Sequence, residues 1–280
     1  MSSFYYITSE IAPFAGVYSL SKFSRHVTQY MNEIGEDVRV IIPRYGNISP
    51  RKYILREVIR LREIPVEYNE EDLMANIRSA FVPNSKIQAY FLEHDSFFSK
   101  KKTPMIFKAR NGRTIKENPS RFSYFGKIAL TALEHLYWKP ELFICHDWHG
   151  ALIPVLKKEL FSRDDYCCDA KTMLCIHEID EFSEYLEWPR SVLVEVGMSE
   201  DKIEKLIGSA KTFNVLELGL SYADHVTIIN KDPKAIVAHP EIQSAKKKLG
   251  KSFRTLKLHG DEDWEKTAKE FHEICLNTLE

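Results

Sequence analysis

Two imidazoles and a carboxylate fall within four residues at His146-Asp147-Trp148-His149. Such a set can ligate a metal, hydrogen-bond the hydroxyls of a ligand, or cap the helix that begins near Gly150 through the Asp147 carboxylate. Spacing places no further ligand beside these three, so no metal is assigned. His177 closes another apolar run and reads either as a ligand contact or as a hydrogen-bonded histidine at a strand end. Glu178, Asp180, Glu181, Glu184 and Glu187 form an acidic stretch beside it. Paired carboxylates can hydrolyse glycosides, but nothing here indicates paired geometry, and a solvated loop leading into a helix is the simpler reading.

These residues sit at the ends of short apolar runs. Phe4–Thr8, Val38–Ile42, Ala89–Leu92, Leu142–Cys145, Met173–Ile176 and Val226–Ile229 are nearly continuous rather than alternating, the pattern of parallel strands covered on both faces. Helical stripes lie between them. Leu20, Phe23, Val27, Tyr30, Met31 and Ile34 form one, with Gly35 as its stop; Phe122, Phe125, Ala129, Ala132, Leu133 and Leu136 form another. Further helices are expected from about Gly150 to Leu160 and from about Thr212 to Tyr222. The alternation predicts a doubly wound, mostly parallel, Rossmann-like α/β sheet, whose ligands bind at the carboxyl ends of the strands. Ser96–Pro119 reads as a long surface loop, and 231–260 as a linker with one short helix. After Asp261-Glu262-Asp263, the residues Trp264, Ala268, Phe271 and Cys275 define a final amphipathic helix that needs a surface to cover.

Composition narrows the function classes. The 280 residues carry 39 basic and 40 acidic side chains, a net charge of −1, which gives no footprint for nucleic acid. Lys100–Lys102 and Lys246–Lys248 read as solvated surface. Five cysteines without a CxxC pair fit a reducing cytoplasm, Met1–Phe4 lacks the features of a signal peptide, and no run approaches the ~20 apolar residues of a membrane span. No cofactor is implied.

Five segments together resemble one family. Ser9-Glu10-Ile11-Ala12-Pro13-Phe14 is similar to the S-E-x-x-P-F opening of the ADP-glucose-type glycogen and starch synthases. Asp37–Tyr45, Tyr90–His94, Trp138-Lys139-Pro140 with Cys145–His149, and Asn214–Leu216 with Tyr222–Thr227 resemble further segments in the family's order. The tail Asp263–Phe271 is similar to the family's last helix. The resemblance implies one half of a two-domain GT-B glycosyltransferase: an acceptor-side domain over 1–230, the linker, and a crossover helix over 261–280 that packs back, with the donor-binding domain absent between them. It also implies that His146, Asp147, His149, His177 and Asn214 lie on the sugar side of the cleft, with α-glucan as a ligand. Tyr5, Tyr6, Phe14, Tyr18 and Tyr45 then either stack on glucose rings or pack an old cleft.

The chemistry departs from that pattern. The family's lysine and paired glycines, which help hold a diphosphate, are replaced here by Gly16-Val17-Tyr18-Ser19. The cation is gone, Tyr18 blocks close backbone approach, and ADP-glucose is not supported as a ligand. The family's asparagine after the conserved histidine is Glu178, and a lysine is Glu217. The expected function is glucan binding or regulation in α-glucan metabolism, with no residue assigned to catalysis. The alternatives are an ADP-glucose-dependent glucosyltransferase, alone or completed by a partner chain, and a half-fold that binds a protein partner or itself.

Overall fold

A computed structural model describes residues 1–99, 105–259 and 263–280. Lys100–Lys102 and the Asp261-Glu262 pair lie outside the described residues. The strands are β1 (Ser3–Ile7), β2 (Asp37–Pro43), β3 (Arg56–Glu57), β4 (Ile64–Tyr68), β5 (Glu71–Phe81), β6 (Gln88–Glu93), β7 (Leu142–His146), β8 (Lys171–Ile176), β9 (Glu187–Pro189), β10 (Thr212–Asn214), β11 (His225–Asn230) and β12 (Phe253–Lys257). The α-helices are α1 (Leu20–Glu33), α2 (Asn118–Leu136), α3 (Asp147–Gly150), α4 (Ile153–Glu159), α5 (Ser191–Glu195), α6 (Glu200–Ile207), α7 (Val215–Tyr222), α8 (Pro233–Val237), α9 (Pro240–Leu249) and α10 (Trp264–Leu279).

One large sheet runs in the order β12-β11-β8-β7-β1-β2-β6-β5-β3. From β12 to β6 every pairing is parallel. All six apolar runs are strands of this sheet, and Phe4, Tyr5, Tyr6, Val40, Ile41, Ile144 and Leu174 are fully buried because helices cover both faces. From β1 the chain crosses through α1 to β2 on one side; from β7 it crosses through α4 to β8 on the other. Right-handed crossovers in opposite directions put α1 and α4 on opposite faces. They also leave a crevice at the carboxyl ends of β1 and β7, the place where doubly wound sheets bind ligands.

Three regions differ from the sequence reading. Residues 231–260 are not a linker: they form α8, α9 and β12, and β12 pairs in parallel with β11 from Val226↔Phe253 to Asn230↔Lys257. Phe253 and Leu256 face inward, and burying them on α9 and α10 offsets the cost of ordering the segment. Thr212–Asn214 does not start a helix but pairs antiparallel with β9, and Asn214 caps α7 by accepting from the Leu216 and Glu217 amides at 2.9 and 3.1 Å. The stretch read as a surface loop, 96–119, buries Phe98, Ile106, Phe107 and Ile115. A fourth feature, the antiparallel pair β4–β5, extends the sheet beyond β6.

The last helix, α10, lies along α1. Phe271 packs edge-on to Phe23 at 5.1 Å, Trp264 stacks on His26 at 4.8 Å, and His272 Nε2 lies 2.9 Å from Glu36 Oε1. Its end is tied to the sheet, where Lys171 Nζ donates to the carbonyls of Thr278 and Leu279 at 2.8 and 3.1 Å. The Lys171 amide donates to the Glu141 carbonyl, and the Glu141 amide to that of Ser3, both at 2.9 Å. No helix among the described residues is long and apolar enough to cross a membrane.

Candidate functional site

The crevice between β1 and β7 gathers the reactive residues. The chain leaves β7 at His146 and turns at Asp147, whose φ of +46° lies in the left-handed region that Asp tolerates better than most residues. That turn directs the carboxylate sideways rather than along its own helix. Asp147 Oδ1 accepts from the amides of His177 and Glu178 at 2.6 and 3.3 Å, joining the end of β7 to the end of β8. It does not cap the helix after Gly150: α4 has Leu152 at its N-cap and no side-chain cap bond. Asp147 Oδ2 accepts from the Tyr18 hydroxyl at 2.6 Å.

His149 completes the contact. Its Nε2 lies 3.1 Å from the Tyr18 hydroxyl and 2.9 Å from Ser9 Oγ, which follows β1. With Tyr18 donating to Asp147, the phenolic oxygen is free to accept from His149. The imidazole stacks on Phe107 at 5.6 Å, and Tyr18 packs edge-on to Phe182 at 4.9 Å. His146 and His177 lie deeper. Both are fully buried, with His146 Nδ1 3.1 Å from His177 Nε2, and neither ring reaches solvent. Burial lowers His177 to about 3, and lowers His149 to about 3 with help from nearby His177; burial also holds His146 well below its ordinary value. All three rings are neutral at physiological pH.

Two carboxyls are driven the other way. Burial raises Asp147 to about 7, against the hydrogen bonds from Tyr18, His177 and Glu178. Burial raises Glu10 to about 8, against the bonds that its Oε2 accepts from the Val17 and Tyr18 amides at 2.5 and 3.4 Å. Glu10 thus sits beneath the 16–19 loop and ties it down by the backbone, while Asp147 ties down its tyrosine by the side chain. Gly16 is required in this loop, because a Cβ there would meet Ser21 Oγ at 2.6 Å and Ser21 Cβ at 2.9 Å.

Of the residues expected around a sugar, His146, Asp147, His149 and His177 converge, and Asn214 serves α7 instead. Glu10, Ser9 and Phe107 belong to the site but were not singled out for it. The signal for Glu10 was a carboxylate directly after a buried strand; that for Phe107 was an isolated Ile106-Phe107 pair in a polar stretch. Among the described residues, no group of three or more His, Cys, Asp or Glu side chains is placed to hold a metal ion. Two cavities open on either side of Val17. One, of about 350 Å³, is lined by Gly16, Tyr18, Ser19, Lys22, Lys231 and Trp264. The other, of about 310 Å³, is lined by Phe107, Lys108, Glu181, Phe182 and Tyr185. Chemically the crevice offers buried hydrogen-bonding groups and aromatic walls, and the flanking cavities add the charged side chains Lys22, Lys231, Lys108 and Glu181.

Residues 3–249 match the family described as starch synthase catalytic domain. Among relatives, the glycogen synthase of Pelodictyon phaeoclathratiforme is 31% identical over 247 residues, covering 85% of this chain and 48% of that protein. The glycogen synthase of Chlorobaculum parvum is 28% identical over 256 residues, covering 91% and 51%. The catalytic domain of starch synthase IV from Arabidopsis thaliana, solved bound to ADP and acarbose, superposes with a TM-score of 0.76 at 20% identity, covering 94% of this chain and 52% of that one. The chain spans about half the length of the relatives it matches.

Proposed function

Because the chain belongs to the starch synthase catalytic-domain family, we propose that it is a synthase-like protein of α-glucan metabolism that binds glucan or a partner and transfers no glucose on its own. The observation that carries this reading is the Tyr18 hydroxyl, 2.6 Å from Asp147 and 3.1 Å from His149. In this reading Asp147 and His149 are the sugar-facing pair, and His146 and His177 position them from below. A nucleotide-sugar donor needs positive charge and close backbone amides at its diphosphate. Here position 16 admits no side chain without displacing Ser21, the lysines near the loop are Lys22 and Lys231 on the wall of the adjoining cavity, and Tyr18 stands where an approach to the backbone would be made. The same reading assigns the sheet domain from β1 through β12 to the acceptor side and α10 to the family's crossover helix, with the donor-binding domain not represented between them.

Co-sedimentation with glycogen tests the glucan half of the proposal: retention above that of a control protein of similar charge supports it, and retention equal to the control removes it. Labelled ADP-glucose with glycogen tests the other half, and no incorporation by the purified chain is expected. The match to half of each glycogen synthase relative favours one second reading, a transferase completed by another chain. Incorporation that appears only when cell extract is added would establish that reading instead.

A further inference from the structure

We propose that Tyr18 is a built-in occupant of the sugar-hydroxyl subsite, so that the site is closed by the protein itself and opens only when this side chain leaves. The inference rests on the reading above that Asp147 and His149 face a sugar. A ligand hydroxyl bound there would donate to Asp147 Oδ2 and approach His149 Nε2. The Tyr18 hydroxyl makes both contacts, at 2.6 and 3.1 Å. Asp147 Oδ1 is engaged by the His177 and Glu178 amides, and Ser9 already lies 2.9 Å from His149. A ligand therefore has to displace the phenol to gain either contact.

The cavities point to the same conclusion. Val17 lines both of them, Tyr18 lines the larger, and its ring packs against Phe182, which lines the smaller. Residues 17 and 18 thus form a partition. Each cavity lies near the lower end of the roughly 300–1,000 Å³ typical of small-molecule sites. Phe107, Phe182 and Tyr185 wall the smaller cavity, while Asp147 and His149 line neither and are buried behind the phenol, within reach of a ligand only when it leaves. The ligand class this reading takes is a polyhydroxylated ring or short chain of rings, with apolar ring faces against the aromatic walls and hydroxyls toward the charged and polar lining.

Closure has a quantitative cost for any ligand. If the open state makes up about 1% of molecules, the apparent affinity falls about 100-fold below the intrinsic one. An internal group competes at an effective concentration of the order of mM, so a glucan binds the native chain only by displacing it, at reduced apparent affinity.

The test is calorimetry with maltose on the native chain and on Tyr18→Gly, Tyr18→Ala, Tyr18→Phe and Tyr18→Gly/Asp147→Asn. Loss of the ring in Tyr18→Gly is expected to tighten maltose binding at least about tenfold, and adding Asp147→Asn is expected to abolish the gain. Tyr18→Phe keeps the ring in place and is expected to give no gain. Tyr18→Ala serves if the glycine variant does not fold. A folded Tyr18→Gly or Tyr18→Ala with unchanged affinity overturns the proposal, as does a gain that survives Asp147→Asn. The two readings fail separately. A native chain retained on glycogen with no gain on removing Tyr18 sinks the plug alone. A native chain not retained, with the gain present, sinks native glucan binding alone.

Discussion

At the scale of single residues, the site is a balance of buried groups whose protonation opposes their ordinary behaviour. Asp147 and Glu10 are raised to about 7 and 8, so each contributes stability that is complete below the usual carboxyl range and is lost as pH climbs through the raised value. His149 and His177 are lowered to about 3 and His146 well below normal, so each contributes stability present above about 6.5 and lost as pH falls. Between about pH 5 and 6.5 the three histidines outnumber the two carboxyls, and the cluster favours folding more as pH rises. Above about 7 only the carboxyls act, and the sign reverses. The cluster's contribution therefore peaks near pH 6.5. Thermal melts from pH 5 to 9 should show Glu10→Gln losing less stability on the alkaline side than the native chain; identical alkaline slopes would contradict the assignment. Part of this site was legible in advance. The His146-Asp147-Trp148-His149 string and the exchange of glycine for Tyr18 follow from residue type. That the two meet does not, because the contact joins residues 129 positions apart in the chain. The capping role of Asn214 was legible too, since an Asn directly before an apolar helical run is a cap signal.

At the scale of elements, the parallel strands were readable because burial on both faces demands unbroken apolar runs. β12 was not, since only Phe253 and Leu256 of its five residues are buried and the rest face outward. β4 was hidden differently: Ile64, Val66 and Tyr68 alternate inward, but Pro65 sits in the run and argues against a strand away from an edge. Two helix contacts make sharp predictions. Phe271 is fully buried where α10 meets α1, so Phe271→Ala should cost about 3–5 kcal/mol in denaturant unfolding. A loss under about 1 kcal/mol would mean that α10 does not dock as described. Gly219 brings α7 against the backbone after α3, where an added Cβ would lie 2.3 Å from the Ala151 carbonyl oxygen. Gly219→Ala should destabilise by about 1–3 kcal/mol despite improving helix propensity. A neutral or stabilising effect would show that the two helices can separate.

At the scale of the whole molecule, α10 and β12 bind the last third of the chain into the same sheet as the first. Urea unfolding followed by tryptophan fluorescence and by far-ultraviolet circular dichroism should therefore give coincident single transitions. An earlier, separate transition at Trp264 would show the C-terminal segment to be an independent unit. The ladder from Ser3 through Glu141 to Lys171 and on to Leu279 has a further consequence. Two strand spacings and a lysine separate the first strand from the last helical turn, a gap of roughly 10–15 Å. A handful of glycine and serine residues bridges that gap. A circularly permuted gene, joined there and opened at the Asn69–Glu70 turn, should yield the same molecule with new ends. Tags or surface tethers fused next to residues 1 and 280 attach at the edge of the sheet remote from Tyr18, which leaves the crevice facing freely into solution for immobilised binding assays.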